Sequence, residues 1–315
     1  MTYNQITSGV FESGLLQEAD IAVLKQEATT ALGLLKQNNL PILTIAKETA
    51  DLEGIINFGQ QLAAKYDNLV VIGTGGSSLC PATLVNLGTC AKKVIFLQNI
   101  DPFTFEGVFA GLNLAKTAFL VTSKSGETIE ALTAFNIALQ RADKSNFWAI
   151  TTNTNNPLRQ MCTRLGIPIF EHDQKIGGRF SILANVALVP AVFAGVDVAL
   201  IRRGAADFYD NFGQLAAESA AIHVALMRKN IWQNVLLTYL DKLAPLNTWY
   251  RQIWAESLGK NGAGSTPIRA VGTIDQHSQL QLYLDGPKDK LIHYVTLKRA
   301  GTGQKFRSEE HTSEL

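Results

Sequence analysis

Apolar residues follow two different spacings along the first half of the chain. Up to about residue 65 they recur at helical intervals, with Pro41 interrupting the pattern, which predicts helices. From Leu69 onward they form four short runs, namely LVVI (69–72), VIFL (94–97), AFLVT (118–122) and FWAIT (147–151). Continuous apolar runs are typical of strands buried on both faces, and the intervals between them have room for crossover helices. The pattern therefore predicts an α/β fold with a parallel sheet, whose ligands bind beyond the carboxyl ends of the strands.

The later part of the chain continues this alternation. Residues 180–196 carry no charge, but they contain Ser181, Asn185 and Pro190 and are too few to span a membrane, so they predict a buried helix. A helix at 205–229, a strand at 235–240 and a helix at 246–260 follow. We expect a first domain at 1–205 that includes the N-terminal helices, a second domain of the same parallel-sheet type at 206–305, and a polar tail at 306–315.

Composition and charge exclude several kinds of partner. The 28 basic and 27 acidic residues give a formal charge of +1, which argues against attachment to nucleic acid or to an anionic membrane through bulk charge. The hydrophobic fraction of 46% is that of a folded protein. Cys80, Cys90 and Cys162 include no CxxC pair, which fits neither a disulfide framework nor a zinc site. Since the first residues show no secretory signal, we expect a cytoplasmic protein.

Two loops that follow predicted strands are suited to phosphate. Residues 73–81 read GTGGSSLCP, and the backbone N–H groups of a glycine-rich loop at a helix start can approach an anion. A tight turn is the alternative interpretation, because the loop is not a GxGxxG fingerprint and no P-loop lysine follows. Residues 123–131 read SKSGETIEA, and the hydroxyls of Ser123, Ser125 and Thr128 suit a phosphate monoester. There the alternative is a helix cap formed by Ser125, and both interpretations can hold together.

The motifs resemble those of a known family. Ser-Lys-Ser-Gly-x-Thr after a buried strand, preceded by a Gly-Gly-Ser turn, resembles the sugar isomerase domain, a parallel-sheet module that binds phosphosugars. Three later segments, IGGRFS (176–181), WYRQIWAESLGKNG (249–262) and GSTPIRAVGTIDQHSQLQLYLDGP (264–287), resemble the bacterial glucose-6-phosphate isomerase family. The five motifs stand in the family's order, and the resemblance extends to about residue 305.

The resemblance implies a role for particular residues. Glu256 is implied as the base that moves a proton between C1 and C2, Arg179 as the group facing the cis-enediolate, and His277 as the group that assists ring opening. The implied substrate-binding residues are Gly76, Ser77, Ser123, Lys124, Ser125, Thr128, Glu130 and Gly178. In the family the histidine reaches the pocket from the neighbouring subunit, so a homodimer is implied. Neither a metal nor an organic cofactor is expected, and the reaction belongs to glycolysis and gluconeogenesis.

Residue-level reasoning leaves alternatives open at the three proposed catalytic positions. Glu256 lies among aromatic neighbours that are expected to exclude water from its carboxylate, as suits a base, or it is a solvated glutamate facing Lys260 one helical turn later. Arg179 precedes an apolar helix and is either a site residue or a surface arginine with a buried stem. His277 is alternatively an ordinary loop or cap histidine.

Two other functions compete with isomerisation. A phosphosugar-binding module without catalysis, as in a sensor or an inactive truncated enzyme, needs only the phosphate loops. An amino-sugar synthase isomerase shares those loops but requires an N-terminal cysteine, and this chain begins Met1-Thr2. The family also carries a C-terminal lysine in a segment like Val-Glu-x-Gly-Lys, which is absent here. We therefore expect a second domain that is cut short and an activity that depends on the missing segment.

Overall fold

A computed structural model describes residues 3–89 and 92–297, which form two parallel sheets surrounded by helices. The strands are β1 (Asn68–Ile72), β2 (Lys93–Leu97), β3 (Thr117–Thr122), β4 (Phe147–Thr152), β5 (Ile169–His172), β6 (Gln233–Thr238), β7 (Thr266–Val271) and β8 (Lys290–Val295). The helices are α1 (Ser8–Glu12), α2 (Glu18–Gln37), α3 (Pro41–Thr44), α4 (Leu52–Lys65), α5 (Gly76–Val85), α6 (Pro102–Ala110), α7 (Ile129–Leu139), α8 (Pro157–Leu165), α9 (Asn185–Phe193), α10 (Val198–Asn211), α11 (Gly213–Arg228), α12 (Ala244–Leu258) and α13 (Ile274–Asp285). Short 3-10 turns are Ile45–Lys47, Leu114–Lys116, Lys144–Asn146, Gly178–Leu183 and Asp241–Leu243.

The first sheet has the order β2-β1-β3-β4-β5, and every neighbouring pair is parallel. The four apolar runs seen in the sequence are confirmed as β1 to β4, with a helix between each pair. The sequence did not predict β5, because its residues IFEH form a short, partly exposed edge strand without a continuous apolar run. In this order β2 lies on one side of β1, and β3 to β5 follow on the other side. Open α/β sheets bind ligands at such a point, where the strand order reverses.

The core of the first domain lies on both faces of this sheet. On one face, Leu69 and Leu120 pack against α4, α5 and α9. On the opposite face, Val70 and Phe119 pack against α6, α7 and α8. Because adjacent strand residues point to opposite faces, both must be apolar in a sheet covered on both sides. This arrangement leaves the loops at the carboxyl ends of the strands free to form a site.

The second sheet has the order β7-β6-β8, again parallel, and α12 follows its central strand. The predicted strand at 235–240 and helix at 246–260 are confirmed, with ends shifted by about two residues. The predicted helix at 205–229 is wrong as a single element. Phe212, with φ −120° and ψ 8°, interrupts the helical backbone between α10 and α11.

The predicted buried helix at 180–196 begins later than expected. Residues 178–183 form a 3-10 turn, and the extended backbone of Ala184 separates it from α9, which is almost entirely buried. No helix in the described part of the chain is both long and apolar enough to cross a membrane.

The division into domains stays a prediction. Residue 205, the predicted boundary, lies inside α10. In addition, α2 packs against α11 in an apolar cluster that includes Ile21 and Ile222, and Lys25 pairs with Glu218 at 2.7 Å. The N-terminal helices therefore contact α11, which belongs to the predicted second domain, although the prediction assigns them to the first domain. Cys90 and the predicted tail at 306–315, with the truncation expected there, lie outside the described residues.

Candidate functional site

A cavity of about 480 Å³ opens beyond the carboxyl ends of β1 and β3. Its lining residues are Thr74, Gly76, Ser77, Lys124, Ser125, Thr128, Thr152, Thr154, Gln174 and Gly178. The two phosphate-suited loops of the sequence are thereby brought together, since both follow strands that are neighbours in the sheet. Six of the ten lining residues are serine or threonine, and their hydroxyls are donors that a phosphate ester can use.

The first loop touches the segment that carries Arg179. Gly76 is the first residue of α5, and a Cβ atom there would lie 2.0 Å from the carbonyl oxygen of Gly178. Only glycine allows this approach, which supports the tight-turn interpretation. Phosphate binding by this loop stays a prediction. Behind the contact, the buried thiol of Cys80 lies 3.8 Å from the carbonyl oxygens of Gly178 and Arg179, and burial raises its pKa to about 12.

The second loop is organised by hydrogen bonds within itself. Ser123 is buried, and its Oγ accepts the N–H of Gly126 at 3.1 Å and lies 3.0 Å from Thr128 Oγ1. The proposed helix cap at Ser125 is wrong, because α7 begins at Ile129 with Thr128 at the cap position. The Ser125 Oγ instead accepts the N–H of Glu127 at 3.2 Å. Ser123 therefore shapes the loop, while Ser125 and Thr128 line the cavity.

A third loop, which follows β4, was not predicted as part of the site. Thr152 Oγ1 donates to the carbonyl oxygen of Lys124 at 2.9 Å, and this fixes the orientation of the Lys124–Ser125 peptide group. Thr152 and Thr154 line the cavity, as does Gln174 from the loop after β5. The polar run TTNTNN at 151–156 after an apolar strand was the signal for this loop.

Glu256 and Arg179 are brought together although 77 positions separate them. Arg179 Nη1 lies 3.4 Å from Glu256 Oε2, and Arg179 Nε donates to Ser257 Oγ at 3.0 Å. Gln252 Nε2 donates to the other carboxylate oxygen of Glu256 at 3.0 Å, a contact that sequence reasoning missed. Lys260, the alternative partner, donates to the main-chain carbonyl oxygen of Glu256 and not to its carboxylate.

The sequence predicted that aromatic neighbours exclude water from the Glu256 carboxylate. Within the described residues this prediction is wrong. Its side chain is 50% exposed. The neighbouring tryptophans point elsewhere, because Trp249 Nε1 donates to the carbonyl oxygen of Arg179 and Trp254 Nε1 donates to Ser265 Oγ. Trp254 lies two residues before Glu256 and therefore on a different face of the helix. Trp249 shares the face of Glu256 but lies two turns earlier, and its ring is directed at Arg179.

Two predicted site residues are not joined to this arrangement by a hydrogen bond, an ion pair or the cavity lining within the described residues. His277 is exposed on α13, and within the described residues no hydrogen bond or ion pair joins it to Glu256 or Arg179. Glu130 is exposed in the first turn of α7 and does not line the cavity. Among the described side chains, no three of histidine, cysteine, aspartate or glutamate cluster as metal ligands.

Comparison with known proteins identifies relatives of the chain. A family model described as phosphoglucose isomerase matches residues 55–294. A probable glucose-6-phosphate isomerase of Methanococcus maripaludis is 32% identical over 79% of this chain, and the glucose-6-phosphate isomerase of Rubrobacter xylanophilus is 33% identical over 90%. This chain spans 61% and 72% of the length of those two relatives, respectively, and 56% of a similar protein of Haloquadratum walsbyi.

Solved structures share the fold. A hypothetical protein from Thermus thermophilus matches with a TM-score of 0.80 and 26% identity, covering 91% of this chain and 72% of that one. A glucose-6-phosphate isomerase from Chlamydia trachomatis matches with a TM-score of 0.76 and 23% identity, covering 89% of this chain and 66% of that one. The arrangement of both sheets is therefore shared with these proteins.

Proposed function

This chain belongs to the phosphoglucose isomerase family, and on that premise we propose that it interconverts glucose 6-phosphate and fructose 6-phosphate. The observation that carries the proposal is the pair of Arg179 and Glu256, 3.4 Å apart, held next to the cavity by the contact of Gly76 with Gly178. A carboxylate beside a guanidinium supplies a base and a partner for a developing oxyanion, which are the needs of this isomerisation.

The hydroxyl-lined cavity is the proposed site of the substrate's phosphate. Ser77, Ser125 and Thr128 offer side-chain donors there, and the peptide group after Lys124 is held in place by Thr152. A dianionic phosphate gains charge-assisted hydrogen bonds from such donors without requiring a basic surface. The near-zero net charge of the chain is compatible with this local mode of recognition.

Glu256 and Arg179 then act on the carbons at the opposite end of the open-chain sugar. The Glu256 carboxylate takes the proton from C2 of the aldose, and the electron pair forms the C1–C2 double bond of a cis-enediolate whose charge lies on O1. The hydroxyl proton of O2 moves to O1, and the same carboxyl returns its proton to C1, which leaves the C2 carbonyl of the ketose. Arg179 stabilises the enediolate oxygen, since a fixed positive charge is most effective where negative charge develops. Gln252 holds the carboxylate in place through its 3.0 Å hydrogen bond.

Ring opening and assembly form the remaining parts of the proposal. His277 is exposed on α13 and apart from Glu256 within one chain, and this supports a homodimer in which His277 assists ring opening in the neighbouring subunit. A cytoplasmic location and a role in glycolysis and gluconeogenesis go with this activity.

Phosphosugar binding without turnover is the second candidate. One observation favours it: among the described residues, those that line the cavity fall between 74 and 178, and none of them belongs to α12 or α13.

Glu256→Gln separates the two candidates. In a coupled assay of fructose 6-phosphate conversion, with the family's C-terminal segment appended to both proteins, we expect turnover without the substitution and a loss of about 10²- to 10⁴-fold with it, because an amide cannot accept the proton. Calorimetry with 6-phosphogluconate should show binding to both proteins, since the phosphate loops are unchanged.

Glu53→Gln is the matched control, because Glu53 is exposed on α4 away from the cavity. It should leave turnover unchanged. Full turnover by Glu256→Gln would remove Glu256 as the base. A wild-type chain that binds the inhibitor but does not turn over would support the second candidate.

A further inference from the structure

Helix α12 carries the proposed base and presents one face to the first domain. Trp249, Gln252 and Glu256 are spaced at i, i+3 and i+7, so they share this face. Trp249 donates to the carbonyl oxygen of Arg179 at 2.9 Å, and a Cβ atom on Gly75 would lie 3.0 Å from Gln252 Nε2. The position and rotation of α12 therefore decide where the Glu256 carboxylate stands.

The opposite face of α12 is held to the second sheet by polar contacts. Asn247, Tyr250 and Trp254 repeat the i, i+3, i+7 spacing on this side. Asn247 is 1% exposed, and its amide donates to Thr238 Oγ1 at 3.1 Å and to the carbonyl oxygen of Ala270 at 2.7 Å. Directional bonds of this kind fix rotation about the helix axis more tightly than apolar packing does.

A pair of histidines adds to these contacts between α12 and the second sheet, next to Tyr250 and Trp254. His223 Nε2 on α11 and His293 Nε2 on β8 are 3.0 Å apart, with ring planes 9° from parallel. Asn234, 1% exposed on β6, donates to the hydroxyl of Tyr250 and lies 3.4 Å from His223 Nε2. The His223 ring also packs against Trp254, with centroids 4.8 Å apart. Two elements, α11 and β6, thus meet α12 at this cluster, and β8 joins it through the contact of His293 with His223.

The hydrogen bonds define the proton positions in the pair. His223 Nδ1 lies 2.7 Å from the carbonyl oxygen of Ser219, which only accepts, so this nitrogen carries the proton. His223 Nε2 is therefore an acceptor, and His293 Nε2 donates to it. No carboxylate, lysine or arginine of the described residues forms a hydrogen bond or ion pair with either ring. The bond between the two Nε2 atoms requires at least one neutral ring, because two protonated rings would leave no acceptor.

We propose that His223, His293 and Asn234 are positioning residues for Glu256, which they orient through Tyr250 and Trp254 on the opposite face of α12. The inference rests on the proposed isomerase function, and nothing in the cluster contacts substrate. Its physical basis is that a displacement of about 1 Å at a reacting group lowers the rate by about 100-fold.

Tyr250→Phe is the direct test, because it removes one hydroxyl and keeps the ring. We expect kcat to fall by about tenfold or more while KM for fructose 6-phosphate changes less than about twofold, since the phosphate cavity is not touched. Tyr294→Phe is the matched control, because Tyr294 is 61% exposed on β8, and it should behave as wild type.

A second pair of variants keeps the test valid if Tyr250→Phe folds poorly. His293→Gln retains a donor near the position of Nε2 and should keep kcat within about threefold of wild type, whereas His293→Leu should lose about as much as Tyr250→Phe. Unchanged kcat in both Tyr250→Phe and His293→Leu would overturn the inference.

Crystal structures of wild type and Tyr250→Phe give a readout that does not depend on turnover. The separation of Arg179 Nη1 and Glu256 Oε2, 3.4 Å here, should change by about 1 Å in the variant. An unchanged separation overturns the inference even in an active enzyme. A changed separation in a chain without turnover would support it and count against the proposed function alone.

Discussion

Two glycines at the proposed site are required for different reasons. Gly76 allows α5 to touch the backbone at Gly178, and a Cβ atom there would lie 2.0 Å from a carbonyl oxygen. Gly126 has φ +67°, and a Cβ atom there would lie 1.8 Å from Asn156 Oδ1. The loops carry several glycines in sequence, but only their neighbours in space show which of them cannot be replaced.

Gly76→Ala is predicted to destabilise the fold by about 1–3 kcal/mol, because the added methyl group forces backbone to move against backbone. It should also raise KM for fructose 6-phosphate by displacing a wall of the cavity. Urea unfolding and the coupled assay measure the two effects.

Gly107→Ala is its control, because Gly107 is exposed on α6 and a Cβ atom there meets nothing within 4 Å. This substitution should stabilise the protein by about 0.5–1 kcal/mol. Equal stability and equal KM for Gly76→Ala and wild type would contradict the steric argument.

At the scale of elements, the start of α8 is tied to the loop at residues 123–128. Asn156 is 2% exposed and caps the helix by accepting the N–H of Arg159 at 2.9 Å. Its amide nitrogen donates to Thr151 Oγ1 and Thr154 Oγ1, and Gly126 packs directly on the side chain. One residue therefore supports a helix end and two loops at once.

Asn156→Ala should lower the free energy of unfolding by about 1–3 kcal/mol, since a cap is lost and buried partners are left unpaired. We also expect a severalfold rise in KM, because residues 123–128 lose a support. Asn38→Ala, at an exposed position after α2, should change neither quantity. The proposed link between α8 and the loop would be wrong if the variant lost stability while its KM stayed at the wild-type value.

At the scale of the whole molecule, one buried histidine and two half-buried histidines make stability depend on pH. Burial lowers the pKa of His172, where β5 meets α9, and that of His223 on α11. Burial and the neighbouring His223 lower the pKa of His293 to about 4 from its ordinary 6.5. The unfolded chain therefore takes up protons at these rings before the folded chain does.

The contribution of these rings to the free energy of unfolding should therefore be at its full value above about pH 6.5. It should fall as the pH drops toward 4, by up to about 1.4 kcal/mol per pH unit for each ring. His293→Gln does not titrate at this position, so its loss of stability between pH 7 and pH 5 should be smaller than that of wild type. Urea unfolding at three pH values tests this, and parallel curves for the two proteins would refute it.

Strands, crossover helices and hydroxyl-rich loops were predictable from the sequence because each depends on residues that are near in the chain. The runs that form β1 to β4 are continuous since both faces of the sheet are covered. The family motifs also identified Glu256 and Arg179, and the structure joins these two at 3.4 Å. Their local context did not predict that the Glu256 side chain would be half exposed.

The tertiary structure alone decided the remaining features. Thr152 and Asn156 support the phosphate loop, and Phe212 divides a helix that the pattern predicts as one. The contact between His223 and His293 joins residues 70 positions apart. Periodicity records which face of an element is apolar, because that depends on the spacing of neighbours. Which side chains meet across elements is decided by packing between distant segments, and no local pattern carries that information.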